Sequence, residues 1–320
     1  MGLGKYAEKI TRNTNLLMHS DVLSGAATDF IESSTTHRVV SWPKNISIED
    51  KQSLSDFIVK HILKGFSLNN KFDPKNTNVF TFGSCFAVNI AHALSNSGIH
   101  VKNTLIEEDV NSTYANRYLL QYLVEGNCNE TTDKIETIFG KKILSDIYDN
   151  LINSDIVIVT IGVAPCFFNK DGEFYFRGKS AEDKSILSVV KMRTTTVSEN
   201  VDNIKTMIDY IHKIAPSAHI VLTLSPVPLA GTTELPSAIL ADCVSKSVLR
   251  VALHEVIESR QEVIYWPSFE IVKWISPNIN FSLFGDDDQH SRHLSSWVIN
   301  LIMDIFISKF FFTEENDTTN

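Results

Sequence analysis

Four short apolar runs constrain this chain more than any other feature. They are NVFTFG (78–83), DIVIVTIG (155–162), HIVLTLSPV (219–227) and EVIYWPSFEI (262–271). Each is rich in β-branched or aromatic residues and shows almost no polar alternation, the pattern of strands covered on both faces. Amphipathic stretches lie between them. In FAVNIAHALSNSG, Phe86, Ile90, Ala93 and Leu94 share a helical face and Gly98 marks the stop. In VSENVDNIKTMIDYIHKI, Val201, Ile204, Ile208 and Ile211 are in register, and SKSVLRVALHEVIE precedes the last run. Strand–helix alternation of this kind predicts an α/β protein: a mainly parallel sheet with helices on both faces, three layers deep. In such sheets a ligand site lies at the carboxyl ends of the strands.

The first 70 or so residues carry little pattern before SIEDKQSLSDFIVKHIL, where Leu54, Phe57, Ile58, His61 and Ile62 recur at helical spacing. Residues 1–74 are therefore expected to form an appendage whose helix packs on a main domain over 75–312. The polar residues 313–320, TEENDTTN, are expected to be a frayed tail.

A net charge of -9 and no dense Lys/Arg block argue against nucleic acid as a partner. Cys85, Cys128, Cys166 and Cys243 are far apart and form no C-x-x-C pair, which gives neither a zinc site nor a disulfide framework. Reduced thiols in a cytoplasmic protein are the plain expectation. The N-terminal MGLGKYAEKITRNTNLL has no secretory-signal pattern. The most apolar stretch, Trp297–Phe312, is interrupted by Asp304 and Lys309 and is too short to cross a bilayer. No residue pattern calls for a cofactor.

Ser84 stands where the first strand gives way to a helix. Gly83 permits a tight turn, and the unpaired N–H groups of a first helical turn favour developing negative charge. That combination suits acyl transfer. Serine is equally a common helix N-cap, and an isolated serine here is more often a cap than a nucleophile. Cys85 is a rival nucleophile because a helix N-terminus lowers a thiol pKa; the expectation is that its side chain packs inward and its backbone N–H is useful.

A serine nucleophile needs a base. The segment GDDDQHSRHLSSWVINLIMDIF offers His290 and His293 just before a helix whose apolar stripe is Trp297, Val298, Leu301, Ile302, Ile305 and Phe306. Three Asp and two His together also fit a divalent-metal loop or a solvated turn, but the calcium-loop spacing is absent and no metal is assigned.

The string Phe82-Gly83-Ser84-Cys85-Phe86-Ala87 contains the five letters that name the GSCFA family, a branch resembling the SGNH (GDSL-like) hydrolase superfamily. TIGVAPCFF, SPVPL, SKSVLR and YWPSFEI are similar to later blocks of that family, so the resemblance spans roughly residues 40 to 310. It implies a flavodoxin-like three-layer fold, Ser84 as nucleophile, and a backbone N–H at Ser84 as an oxyanion donor. The family pattern looks like Asp-x-x-His followed by one residue, a Ser or Thr, and a helix ending in Phe. His293-Leu294-Ser295 matches its second part, so His293 is the preferred base; but His290 stands three residues earlier, and Asp287-Asp288-Gln289-His290 makes His290 the competitor. The orienting partner of His293 is then Asp288, Asp287, His290 or a backbone carbonyl.

Gly162, just past a strand, can approach a substrate closely. The superfamily's Asn two residues later is Ala164 here, and Pro165 cannot donate. Asn111 and Asn116 in VNSTYANRYLL are candidate substitute donors, although turn roles suit them too. Thr194, Thr195 and Thr196 read as helix caps, with Glu199 completing a capping box. His92, His100 and His254 read as structural. The resemblance implies a serine esterase acting on an acyl ester of a carbohydrate or surface-polysaccharide precursor. The alternatives are an O-acyltransferase to a sugar hydroxyl and a non-catalytic carbohydrate-binding or scaffold module.

Overall fold

The computed structural model describes residues 41–43, 46, 48–106, 111–128, 130–176 and 189–312. Most of the expected 1–74 appendage before residue 41, and the expected tail at 313–320, lie outside these residues.

The first run forms β1 (Asn78–Gly83), followed at once by α2 (Cys85–Asn96) and β2 (His100–Leu105), with α1 (Lys51–Phe57) before them. Next come α3 (Thr113–Glu125), α4 (Glu130–Phe139), α5 (Lys141–Ile152) and β3 (Ile156–Ile161). A short pair, β4 (Pro165–Phe168) and β5 (Lys191–Thr194), precedes α6 (Val197–Ile214) and β6 (His219–Leu224). The chain closes with α7 (Ala238–Ser259), β7 (Ile264–Tyr265), α8 (Ser268–Ile275) and α9 (Ser296–Phe310).

The five-stranded sheet has the order β2-β1-β3-β6-β7 and every pairing in it is parallel. This is the flavodoxin-like order, and the strand sequence reverses direction between β1 and β3. Side chains alternate between the faces. Phe80, Phe82, Val157, Val159, Ile220 and Leu222 join the core shared with α3 to α7. Val79, Ile156, Ile158 and Val221 join the core shared with α1, α2, α8 and α9. The same alternation sets Thr81, Thr160 and Thr223, all fully buried, on the second face. Thr160 and Thr223 are register partners on neighbouring strands. The sheet is thus sandwiched, and the three-layer α/β/α class is the observed one.

The described end of the N-terminal region is tied to the main domain. The Phe72 N–H donates to the Phe310 carbonyl, and the Phe312 N–H donates back to Phe72. Leu54, Phe57 and Ile58 sit in the same hydrophobic cluster as α9.

One expected element is corrected. The run 262–271 is a strand only at Ile264–Tyr265, because α8 starts at Ser268. The residues that extend the apparent strand, Ile271 among them, are buried from a helix instead. Pro267 ends the strand: it has no N–H for a ladder and its ring angle suits a helix start.

Candidate active site

Gly83 fixes the turn. Its φ of +114° is open to glycine, and a Cβ there would lie 2.3 Å from the Thr160 carbonyl oxygen. Beyond it, Ser84 occupies the N-cap position of α2 with extended backbone angles, yet its side chain makes no capping hydrogen bond. The cap interpretation of this serine is therefore corrected. Its hydroxyl is instead 2.8 Å from the Thr160 hydroxyl, and the residue is 6% exposed. Thr81 braces the same turn by donating to the Ala87 carbonyl at 3.0 Å.

The Ser84 N–H is also engaged. It donates to Thr160 Oγ1 at 2.7 Å and to the Thr160 carbonyl at 3.2 Å. The expected oxyanion donor is thus turned into the sheet in this structure, because the strand ladder between β1 and β3 continues one residue past Gly83. Cys85 also departs from expectation. Its side chain is exposed rather than packed inward, since α2 buries Phe86 and Ala87 instead.

Gly162 follows β3, the strand beside β1. A side chain there would meet Asn111 Nδ2 at 3.0 Å and Ser84 Cβ at 3.2 Å. Ser84, Gly162 and Asn111 therefore converge at the carboxyl edge, at the reversal of strand order. Asn111 is 4% exposed, and Asn116, on α3, donates to its Oδ1 at 3.2 Å. That bond leaves the Asn111 amide N–H groups facing Gly162. The place where the resemblance implies a missing asparagine, Ala164, is buried, and an asparagine from the loop after β2 fills the space beside Gly162.

The turn carrying Gly162 is held from α7. Lys246, 3% exposed, donates to the Gly162 carbonyl at 2.8 Å, and the Ala164 N–H donates to Ser245 Oγ at 2.9 Å. Thr195 closes the far side by donating its hydroxyl to the Ala164 carbonyl at 2.8 Å. Ser112 pairs with Val163 across a parallel bridge, which ties the Asn111 loop to the same turn. No chemical pattern in the sequence singles out Thr160, Ser245 or Lys246. The one available signal is a lysine beside a serine on the apolar helix of SKSVLR.

The histidines come from the loop before α9. His293 Nδ1 is 2.5 Å from Asp288 Oδ2, and the His290 N–H donates to Asp288 Oδ1 at 2.9 Å. The His293 bond, and then the His290 N–H, hold the Asp288 carboxyl below the usual carboxylate range. Asp287 instead caps α9, accepting from the Ser296 N–H at 2.5 Å and from the Ser296 hydroxyl at 2.9 Å. The His290 ring lies on that of His293, with centroids 4.1 Å apart and planes 14° from parallel. Arg292 donates to the Pro228 carbonyl at 3.0 and 3.2 Å, which docks this loop on the segment leaving the carboxyl end of β6. The histidine loop and the Ser84 turn therefore belong to one edge of the sheet. Among the described residues, the hydrogen-bond partner of the Ser84 hydroxyl is Thr160 and neither histidine. The His293 side chain is 53% exposed.

Among the described residues, no group of three or more His, Cys, Asp or Glu is arranged to hold a metal ion. No helix among them is long and apolar enough to cross a membrane.

The fold is a parallel α/β/α sandwich of flavodoxin-like strand order, with Ser84 at the first strand–helix turn and His293 on the loop before the last helix. More particularly, the model of the GSCFA family matches residues 130–306, more than half of the chain, and the protein belongs to that family. The matched span starts after the Ser84 turn. No curated protein matches the chain. Among solved structures, similarity is found to a GDSL-like lipase from Parabacteroides merdae, with 12% identity, TM-score 0.42, and coverage of 75% of this chain and 98% of that one. A catalytic mutant of an acetylxylan esterase from Geobacillus stearothermophilus gives 10% identity, TM-score 0.39, and coverage of 76% and 98%. A carbohydrate acetylesterase from Sinorhizobium meliloti gives 12%, 0.39, and coverage of 73% and 98%.

Proposed function

We propose that this protein is a serine esterase in which Ser84 carries the acyl group. The observation that carries the reading is the convergence of a non-capping Ser84 with Gly162 and Asn111 at the switch point of the sheet. Ser84 Oγ turns away from Thr160 and attacks the ester carbonyl. Its proton passes to Nε2 of His293, whose Nδ1 is held by Asp288. The Gly162 N–H and Asn111 Nδ2 donate to the oxyanion. The C–O bond then breaks, and the alcohol leaves with the proton held by His293. Water, deprotonated by the same histidine, attacks the acyl-enzyme, releases the acid and returns Ser84.

His290 acts in this scheme as the ring stacked on the base rather than as the base. A sugar hydroxyl or a similar polar group is the alcohol that suits this scheme, since the His293 side chain is about half exposed to solvent. Transfer to a second sugar hydroxyl uses the same steps with that hydroxyl in place of water. A catalytically silent carbohydrate-binding module is disfavoured, because the two groups missing from the family pattern have local substitutes: Asp288 sits on His293 and Asn111 sits beside Gly162.

The test is hydrolysis of an activated ester by the wild type and by Ser84→Ala, His293→Ala and His290→Ala. Loss of turnover in the first two, with His290→Ala retaining most of it, is expected. Abolition by His290→Ala alone among the histidines would reassign the base. A sugar acceptor added to the same assay separates transfer from hydrolysis by the appearance of an acylated sugar.

A further inference from the structure

Beside Asn111 lies a cavity of about 350 Å³, walled by Val163, Phe167, Phe174, Met192 and Leu229. Its walls come from β4, β5 and the segment after β6, the parts of the chain that the Ser84 scheme leaves unused. Phe167 and Leu229 are buried within the wall, whereas Gly231 and Thr233, which also line it, are exposed and mark an open side. Thr232 and Thr233 carry polar groups at the open side, as do Asn111 and Ser112 at the buried end. That end adjoins the nucleophile, since Asn111 Nδ2 and Ser84 Cβ flank the same face of Gly162.

We propose that this cavity is the acyl pocket and that it selects a linear acyl chain of about four to eight carbons over acetyl, an inference that rests on Ser84 being the nucleophile. Size favours the longer chain, because an acetyl methyl leaves most of a cavity of about 350 Å³ unfilled. Placement favours the acyl part over the alcohol. The carbonyl oxygen is drawn to the Asn111 end, and the alcohol must depart towards the exposed His293, which leaves the cavity to the acyl tail. Met192 suits a chain of variable length because its thioether is unbranched and readily repacked. The Thr233 N–H, on the open side of the same cavity, donates to its sulfur at 3.5 Å.

During turnover the tail stays in the cavity while the carbonyl carbon exchanges its alcohol oxygen for Ser84 Oγ. Water then replaces Ser84, and the free carboxylic acid leaves through the open side.

The experiment measures kcat/KM for p-nitrophenyl acetate, butyrate and octanoate with the full chain. Each buried methylene is expected to add about fourfold, so butyrate, with two more, should exceed acetate about fifteenfold. Met192→Trp and Leu229→Trp, which fill the cavity, should lower the butyrate-to-acetate ratio towards one, and butyrate or octanoate ions should inhibit the wild type more strongly than acetate. A ratio that favours acetate, or one that neither tryptophan moves in a folded variant, overturns the pocket assignment while Ser84 chemistry stands. Failure of every ester to turn over in a Ser84-dependent way overturns the nucleophile itself, and the pocket with it.

Discussion

Around Ser84 the space is set by single atoms. The φ at Gly83 is +114°, and a methyl group there would meet the Thr160 carbonyl at 2.3 Å, so strand β3 would have to move. Gly83→Ala should therefore lower the unfolding free energy by at least about 2 kcal/mol, the cost of a strained backbone plus a clash, as read from the denaturant midpoint. Asn111 is a cleaner probe of chemistry because its amide is held by Asn116. Asn111→Ala should reduce kcat by about 10² to 10³ with little change in KM, the signature of a donor that acts on the transition state. An equal rise in KM with kcat unchanged would make Asn111 a ground-state binding residue. Asp288→Asn should lower kcat at all pH values, because an amide no longer requires the Nδ1–H tautomer of His293. The extent should be smaller than at a buried triad, since Asp288 is 46% exposed and solvent screens it.

Two elements brace the 162–164 turn through hydrogen bonds. Helix α7 reaches the 162–164 turn through Ser245 and Lys246. Ser245→Ala leaves the buried Ala164 N–H without its acceptor, which should cost about 1–3 kcal/mol of stability in denaturant unfolding. The start of α6 is the second. Arg193, just before it, makes a bidentate pair with Glu199 at 2.6 and 2.9 Å, Tyr114 donates to the same carboxylate at 2.9 Å, and Thr196 completes the capping box. The Arg193 guanidinium, and then the Thr196 N–H, draw the Glu199 pKa down to about 2 against the opposing effect of burial. A carboxylate with a depressed folded pKa stabilises the protein above its unfolded value, and that contribution is lost as the pH falls through the folded one. Stability should therefore drop between about pH 4.5 and about pH 2, and Glu199→Gln should flatten that part of the unfolding profile. An identical profile for the variant would remove Glu199 from the acid transition.

At the scale of the whole molecule, the sheet is readable in the sequence because both its faces are covered. NVFTFG is bounded correctly by Gly83, and the runs at 155–162 and 219–227 each hold a central strand. The last run reads too long, since α8 supplies buried apolar residues that look like strand continuation until Pro267 is given weight. Helices α4 and α5 and the β4–β5 pair leave no comparable mark; β4 and β5 have four residues each, too few to show a period. The site divides in the same way. Ser84 and the histidine loop are local strings and can be singled out. Asn111 acquires its meaning from Gly162, some fifty residues along the chain, and Thr160 is an ordinary strand threonine until β1 places Ser84 upon it. Long-range register, which a single sequence does not display, decides which polar groups meet.

The most direct measurement is the mass and position of the adduct formed with a fluorophosphonate. Peptide mapping of the treated wild type should find one phosphonyl group on Ser84, and none after Ser84→Ala. A modified Cys85 with Ser84 untouched, or equal labelling of the alanine variant, would contradict the account, because the oxygen nucleophile at the end of β1 would then not be the group that reacts.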